Sequence, residues 1–181
     1  MNQSTDEELM QLVASGNLEK LRPLFDRYYS RIFNFVLKST GDRELSQDVT
    51  QETFYKVLKY RKTYQQRKFS TWIYTIAKNL CNDHYKGSHN QPVSLEHLIY
   101  VLEEPSENCQ DTIERKEQLN AALGQLSLED RQLLIMHRFQ GIKYAELAEI
   151  TNSTVGAVKT RTHRALQKLK EHYFKKVRHE M

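Results

Sequence analysis

The chain has 181 residues, with 27 Lys and Arg against 23 Asp and Glu, 39% hydrophobic residues and a net charge of +4. That length holds one medium domain or two small ones, and only six Gly and three Pro among long amphipathic stretches predict an almost all-helical fold. The two cysteines, Cys81 and Cys109, lie far apart without C-x-x-C spacing, which does not support a disulfide scaffold and fits free thiols in a reducing cytoplasm. No apolar run reaches transmembrane length, and the polar, acidic start MNQSTDEELM is not a secretory signal.

Chain order predicts a first short helix over residues 6–15, ending at Gly16-Asn17. A longer helix then runs to about Thr40, with Leu21, Leu24, Phe25, Tyr28, Ile32, Phe33, Val36 and Leu37 at three-to-four spacing. Pro23 should lie near its start or kink it. Gly41-Asp42 breaks that helix and Asp42 caps the next. The third helix turns Leu45, Val49, Phe54, Val57 and Leu58 inward. Its outer face carries Asp48, Gln51, Glu52 and Tyr55, a set that suits a protein partner better than DNA. After the basic segment Tyr60–Lys68, Ser70 is expected to cap a fourth helix through Trp72, Ile73, Ile76, Ala77 and Leu80 to about Lys86.

From Gly87 to Asp111 the periodicity weakens, and Pro, Ser, Asn and Glu accumulate, although residues 95–102 can form a short helical turn. Helical spacing resumes with Ile113, Leu119, Ala122, Leu123 and Leu126. Ser127 then caps LEDRQLLIMHRF, with Glu129 and Asp130 where the helix dipole favours acids. Residues 141–170, GIKYAELAEITNSTVGAVKTRTHRALQKLK, read as a helix-turn-helix. Tyr144, Leu147, Ala148 and Ile150 mark its first helix, Asn152 sits where the turn needs left-handed backbone, and Thr154 caps the second helix. There Val158, Ala165, Leu166 and Leu169 fall inward, while Lys159, Thr160, His163 and Arg164 share the outer face, as a major-groove reader requires. The fold class is therefore all-α: two small helical domains (1–88 and 113–181) joined by a flexible linker (89–112), the C-terminal one a helix-turn-helix.

Charge follows this division. Residues 1–55 carry net −3, residues 56–90 net +7, residues 91–130 net −7 and residues 131–181 net +7. Two basic blocks around an acidic one point to two nucleic-acid surfaces joined by a tether that binds none. In the first block, Tyr60, Tyr64, Phe69, Trp72, Tyr74 and Tyr85 interleave with Lys59, Arg61, Lys62, Arg67, Lys68, Lys78 and Lys86. Aromatic faces stack on unpaired bases while cations neutralise phosphates, so this mixture suits single-stranded or melted DNA. Trp72, Ile76 and Leu80 fit a core stripe. Tyr64 and Phe69, flanking Gln65–Lys68, are the better candidates for base contacts. No P-loop, dinucleotide fingerprint, zincin or nucleophile-elbow motif occurs, the seven His residues show no metal-ligand spacing, and no cofactor is expected.

The blocks TGDRELSQDVTQETF, FSTWIYTIAKNLCNDHY and YAELAEITNSTVGAVKTRTHRALQKL, in that order, resemble the extracytoplasmic-function sigma factors of the sigma-70 family, over about residues 6–88 and 113–172. The resemblance implies a cytoplasmic, non-enzymatic initiation factor. Asp48, Gln51, Glu52 and Phe54 then dock on the clamp coiled coil of core RNA polymerase, and the flap is a second polymerase contact. Tyr60, Arg61, Lys62, Tyr64, Arg67, Lys68 and Phe69 fall in the part that melts the minus-ten element and holds a flipped base. Lys78, Asn79 and Asp83 match the part contacting the adjoining duplex. Lys159, Thr160, Arg161, His163 and Arg164 fall on the reader of the minus-thirty-five element, and an anti-sigma protein is an expected partner. Asn152-Ser153 and Thr162 depart from the family's usual aliphatic choices and predict a weaker carboxy-terminal core. The rival reading is a free-standing helix-turn-helix repressor or activator. A nucleic-acid-processing enzyme is a third, but clustered carboxylates for a metal are missing.

Overall fold

The structure, a computed structural model, describes residues 4–65, 67–87 and 109–179, and every regular element among them is helical. Helix α1 (Asp6–Ala14) opens on a capping box: the Thr5 hydroxyl accepts from the Glu8 N–H, and the Glu8 carboxylate accepts from the Thr5 N–H. A short turn, Leu18–Lys20, leads into α2 (Leu21–Thr40), with Pro23 in its first turn, where a missing N–H costs nothing. Gly41 ends α2 at φ 71°, and the Asp42 carboxylate accepts from the Leu45 N–H to start α3 (Arg43–Lys59), as the Gly-Asp pair predicted. The turn Arg61–Thr63 and an irregular stretch precede α4 (Phe69–Gly87). Leu24, Tyr28, Ile32, Phe35, Val49, Val57, Ile73, Tyr74 and Ala77 from α2, α3 and α4 make one buried core.

Two local expectations need correction. Helix α4 begins at Phe69, one residue before the expected cap, so Ser70 lies inside the first turn. Its buried Oγ has no partner among the described residues. Helix α5 (Cys109–Gly124) begins four residues earlier than the resumed periodicity suggested, inside the segment assigned to the linker. The possible turn at residues 95–102 lies outside the described residues, and so does the side chain of Cys109. Cys81 is a free, buried thiol, its pKa pushed up to about 11, chiefly by burial.

The second half runs through α6 (Leu128–Leu134), a π-type turn over Ile135–Phe139, α7 (Tyr144–Ile150) and α8 (Val155–His179). The Ser127 hydroxyl caps α6 by accepting from the Asp130 N–H at 3.3 Å. Asn152 takes φ 49°, and the Thr154 hydroxyl accepts from the Ala157 N–H, so the helix-turn-helix is built as its sequence predicted. A small cluster of Leu123, Leu126, Leu134 and Ala165 holds α5 to α8. Thr162 of α8 is buried, 3% exposed, with its hydroxyl unpaired among the described residues. A buried hydroxyl without a partner costs about 1–3 kcal/mol. Thr162→Val should therefore raise stability by about 1 kcal/mol, read as a higher urea midpoint at unchanged slope.

The sequence left the packing of the two halves open, and the structure packs them together. Leu133, Ile135, Met136, Ile142, Leu147, Ala148, Ile150 and Val158 belong to the same core cluster as the residues of α1–α4. Polar groups stitch the seam. Tyr74 Oη donates to Gln140 Oε1 at 2.8 Å, Arg31 donates to the Gln140 carbonyl at 3.2 Å, and Gln132 donates to Asn82 Oδ1 at 3.0 Å. Arg131, 2% exposed, donates to the Ser39 carbonyl across the seam and to the Gly124 and Leu126 carbonyls on its own side. Burial holds its pKa below the ordinary guanidinium value.

Candidate nucleic-acid and polymerase-binding surfaces

Helix α8 carries the first surface. Its inward residues are set by Val158, Thr162 and Ala165, all buried, which turns Lys159, Thr160, His163 and Arg164 outward as one exposed face. Lys159 Nζ lies 5.8 Å from the centre of the Tyr144 ring, a cation–π contact that leans the ammonium toward α7. Arg161 has a different task. Its Nε donates to Asp130 Oδ1 at 2.8 Å and its Nη2 to Glu129 Oε2 at 2.6 Å, so the guanidinium is committed to the start of α6. Asp130 also accepts from Lys168 at 3.1 Å. Burial alone would raise the Asp130 pKa, but the two cations hold it below the usual carboxylate range.

The second surface is the segment between α3 and α4. Tyr60, Lys62, Arg67 and Lys68 are exposed there, and Lys59 Nζ sits 5.4 Å from the Tyr60 ring. Arg61 is half-buried and donates to the Leu58 carbonyl at 2.9 Å. The Tyr64 hydroxyl donates to the Arg67 carbonyl, and its ring packs 5.2 Å from Trp72. Desolvation, helped by the nearby Glu7 and Asp6 carboxylates, pushes the Tyr64 pKa up to about 12. Phe69, expected at the bases, is instead fully buried among Tyr28, Tyr64 and Trp72. As the first residue of α4 it faces the core, and its apolar ring gains more there than in water. The rings left open on this surface are Tyr60, which is exposed, and Tyr64, which is half-buried.

Lys68 forms an ion pair with Glu146 of α7, which ties this segment to the helix-turn-helix. Lys78 is half-buried at the seam, its pKa lowered chiefly by desolvation. It lines a cleft of about 360 Å³ shared with Glu129, Gln132, the turn 151–153 and Arg161. Asn79 is exposed beside it, and Lys78 Nζ lies 3.4 Å from Asn79 Oδ1.

The third surface is the outer side of α2 and α3. Asp48 and Gln51 are exposed; Glu52 is half-exposed and pairs with Lys56 at 3.6 Å and with His84 Nε2 at 3.2 Å. Phe54 is 6% exposed, its ring 4.8 Å from Phe25, so of the four expected docking residues it serves the core. Sequence reasoning missed its neighbours. Phe25, 37% exposed, stacks toward Tyr29, which stacks toward Phe33, and Arg43 lies over Phe33. Tyr55, on α3 with Asp48 and Gln51, is 61% exposed, with Lys59 over its ring. The signal was present as aromatics at i, i+4 and i+8, but the same spacing also describes a core stripe.

The fold and these surfaces define a two-part helical protein of the helix-turn-helix class. Residues 24–90 match the family model described as Sigma-70 region 2, and residues 116–169 that described as Sigma-70, region 4. The chain belongs to the sigma-70 family of RNA polymerase sigma factors, in its extracytoplasmic-function group. It is 27% identical to the extracytoplasmic-function sigma factor BldN of Streptomyces coelicolor, over 90% of this chain but only 63% of BldN. It is 28% identical to the sigma factor YlaC of Bacillus subtilis, over 87% of this chain and 94% of YlaC. Among solved structures, CnrH in complex with the cytosolic domain of CnrY shares the fold, with a TM-score of 0.70 at 24% identity over 92% of this chain and 95% of that one. Among the described residues no helix is long and apolar enough to cross a membrane, and no group of His, Cys, Asp and Glu is placed to hold a metal ion.

Proposed function

We propose that this chain is a cytoplasmic transcription initiation factor that binds core RNA polymerase and directs it to promoters, the polymerase supplying the catalysis. The observation that carries the reading is the pairing, in one chain, of a basic recognition face on α8 with a second aromatic and basic surface before α4. Lys159, Thr160, His163 and Arg164 read the minus-thirty-five element. Tyr60, Lys62, Tyr64, Arg67 and Lys68 capture the minus-ten strand, and Lys78 and Asn79 meet the adjoining duplex. Capture favours the unstacked strand, so melting is a population shift and needs no nucleotide hydrolysis by this chain.

The domain division 1–88, 89–112 and 113–181 follows the same roles. The two promoter elements lie roughly twenty-five base pairs apart by their names, or about 85 Å along B-form DNA. Two halves that share a core cannot span that distance. Polymerase must therefore separate them at the Arg131, Gln132 and Gln140 seam, exposing Lys78. The exposed rings of Phe25 and Tyr55, with Asp48, Gln51 and Glu52, form the clamp contact. The apolar groove of Leu119, Leu169, Tyr173 and Phe174, rimmed by Arg115 and Lys170, suits the flap. An anti-sigma protein would silence the factor by holding the same surfaces.

Purified core polymerase, this protein and a genomic fragment library test the reading through sequenced transcript starts. Starts that need the protein and share two upstream motifs at fixed spacing are the expected result. Tight, specific duplex binding by the protein alone, with no transcripts, would establish the repressor reading instead. In the same system Asp48→Ala with Glu52→Ala should weaken core affinity about tenfold, or 1.4 kcal/mol. The circular dichroism spectrum should stay unchanged, because the Glu52 ion pairs are exposed and of little structural value.

A further inference from the structure

The start of α4 is capped from far away in the sequence. The residue before Phe69 is Lys68, whose side chain has no acceptor, and the hydroxyl of Ser70 is buried and unpaired among the described residues. The Phe69 N–H, one of the orphan donors of a helix N-terminus, instead donates to Glu7 Oε1 of α1 at 2.9 Å. The neighbouring Asp6 accepts from Tyr28 Oη at 2.6 Å and from Arg27, and the Tyr28 ring stands edge-on to Phe69 at 5.1 Å. Helix α1 thus grips Phe69 by its amide and, through Tyr28, by its ring. Phe69 closes the segment that displays Arg67 and Lys68, and Tyr64 folds back onto both Phe69 and the Arg67 carbonyl. The family match begins at residue 24, beyond α1.

We infer that Glu7 is a positioning residue for minus-ten strand capture: by capping α4 from α1 it fixes the stem of the segment 60–69 at the geometry that receives the unpaired strand. This rests on the reading of that segment as the strand-capturing one. Glu7 touches no DNA. A carboxylate at a helix N-terminus also meets the positive end of the helix dipole, so α1 orders the stem before DNA arrives.

The test compares Glu7→Ala and Glu7→Gln with the unaltered protein, each in holoenzyme. One promoter fragment is used as duplex and with its minus-ten region already unpaired, and opening is followed by 2-aminopurine fluorescence. Glu7→Ala should lower opening of the duplex about fivefold, the ratio that corresponds to a lost cap of about 1 kcal/mol. It should leave core affinity unchanged and weaken holoenzyme binding to the unpaired template by a similar factor, because strand capture is common to both, and Glu7→Gln, which keeps an acceptor oxygen, should recover most of the loss. Equal opening by Glu7→Ala and the unaltered protein overturns the inference. So does a matching loss of core affinity, which means a general folding role. If Glu7→Ala does not fold, Glu7→Asp, one methylene short of the Phe69 N–H, takes its place under the same two criteria. Failure of the unaltered protein to initiate at any promoter would instead sink the sigma-factor reading itself.

Discussion

Arg131→Ala should destabilise the protein by about 3 kcal/mol, the largest single-residue effect expected outside the apolar core. The guanidinium fans to three carbonyls, those of Ser39, Gly124 and Leu126, and no carboxylate neutralises it among the hydrogen-bond partners described. Truncation removes three charge-assisted bonds and strands buried acceptors, each costly to leave without a donor. The Ser39 carbonyl matters most for the assembly of the two halves, because it lies at the end of α2 while Arg131 belongs to α6. Arg131→Met keeps the packing of the aliphatic stem and should lose less, whereas Arg131→Lys places one compact ammonium where a fork is needed. Urea unfolding measures all three. A loss below about 0.5 kcal/mol for Arg131→Ala would mean that water replaces the guanidinium and that the seam is not held there.

The largest functional effect is expected at the recognition helix. Lys159→Ala with Arg164→Ala should cut promoter-directed transcription by about two orders of magnitude, since a base or phosphate contact is worth about 1–3 kcal/mol. Core affinity should not change, because both side chains are exposed on α8 and the proposed clamp residues belong to α2 and α3. The decisive measurement is holoenzyme affinity for a promoter fragment across a salt series. If both cations neutralise phosphates, the log–log slope should become shallower by about two. A parallel loss of core affinity would show that this face of α8 is a protein contact. Arg161 serves as the internal contrast. Its replacement by Ala removes ion pairs to Glu129 and Asp130, so it should lower stability more than promoter affinity.

The closing of α4 by Glu7 shows how far local signals reach. A Ser, Thr or Asp followed by an amphipathic run is a sound N-cap signature, and it placed Asp42, Ser127 and Thr154 correctly. At Ser70 it failed by one residue, because a carboxylate 62 positions upstream supplies the acceptor. A window along the chain cannot contain such a partner. Phe69 failed for a related reason, whereas periodicity placed Phe54 inward correctly and only the docking role implied by the resemblance set it outside. An aromatic among cations reads as a stacking platform, yet whether its ring meets solvent depends on where neighbouring helices lie. Both rings found other aromatics, Phe69 at Tyr28 and Phe54 at Phe25, and left the open positions to Tyr60 and Tyr55.

The sequence by itself determined the helical class, the Gly41-Asp42 break, the left-handed Asn152 and the exposed face of Lys159, Thr160, His163 and Arg164. These follow from backbone sterics and from apolar residues repeating every three to four positions, which act within a few residues. Only the tertiary structure decided that the two halves share one core, that Arg131 and Gln140 join them, that Arg161 is spent on α6, and that Lys78 faces the turn of the other half. Those outcomes depend on which apolar faces meet and on which polar groups burial then forces to find partners. Periodicity marks a face as apolar without naming its mate, so the pairing is fixed only when the helices pack.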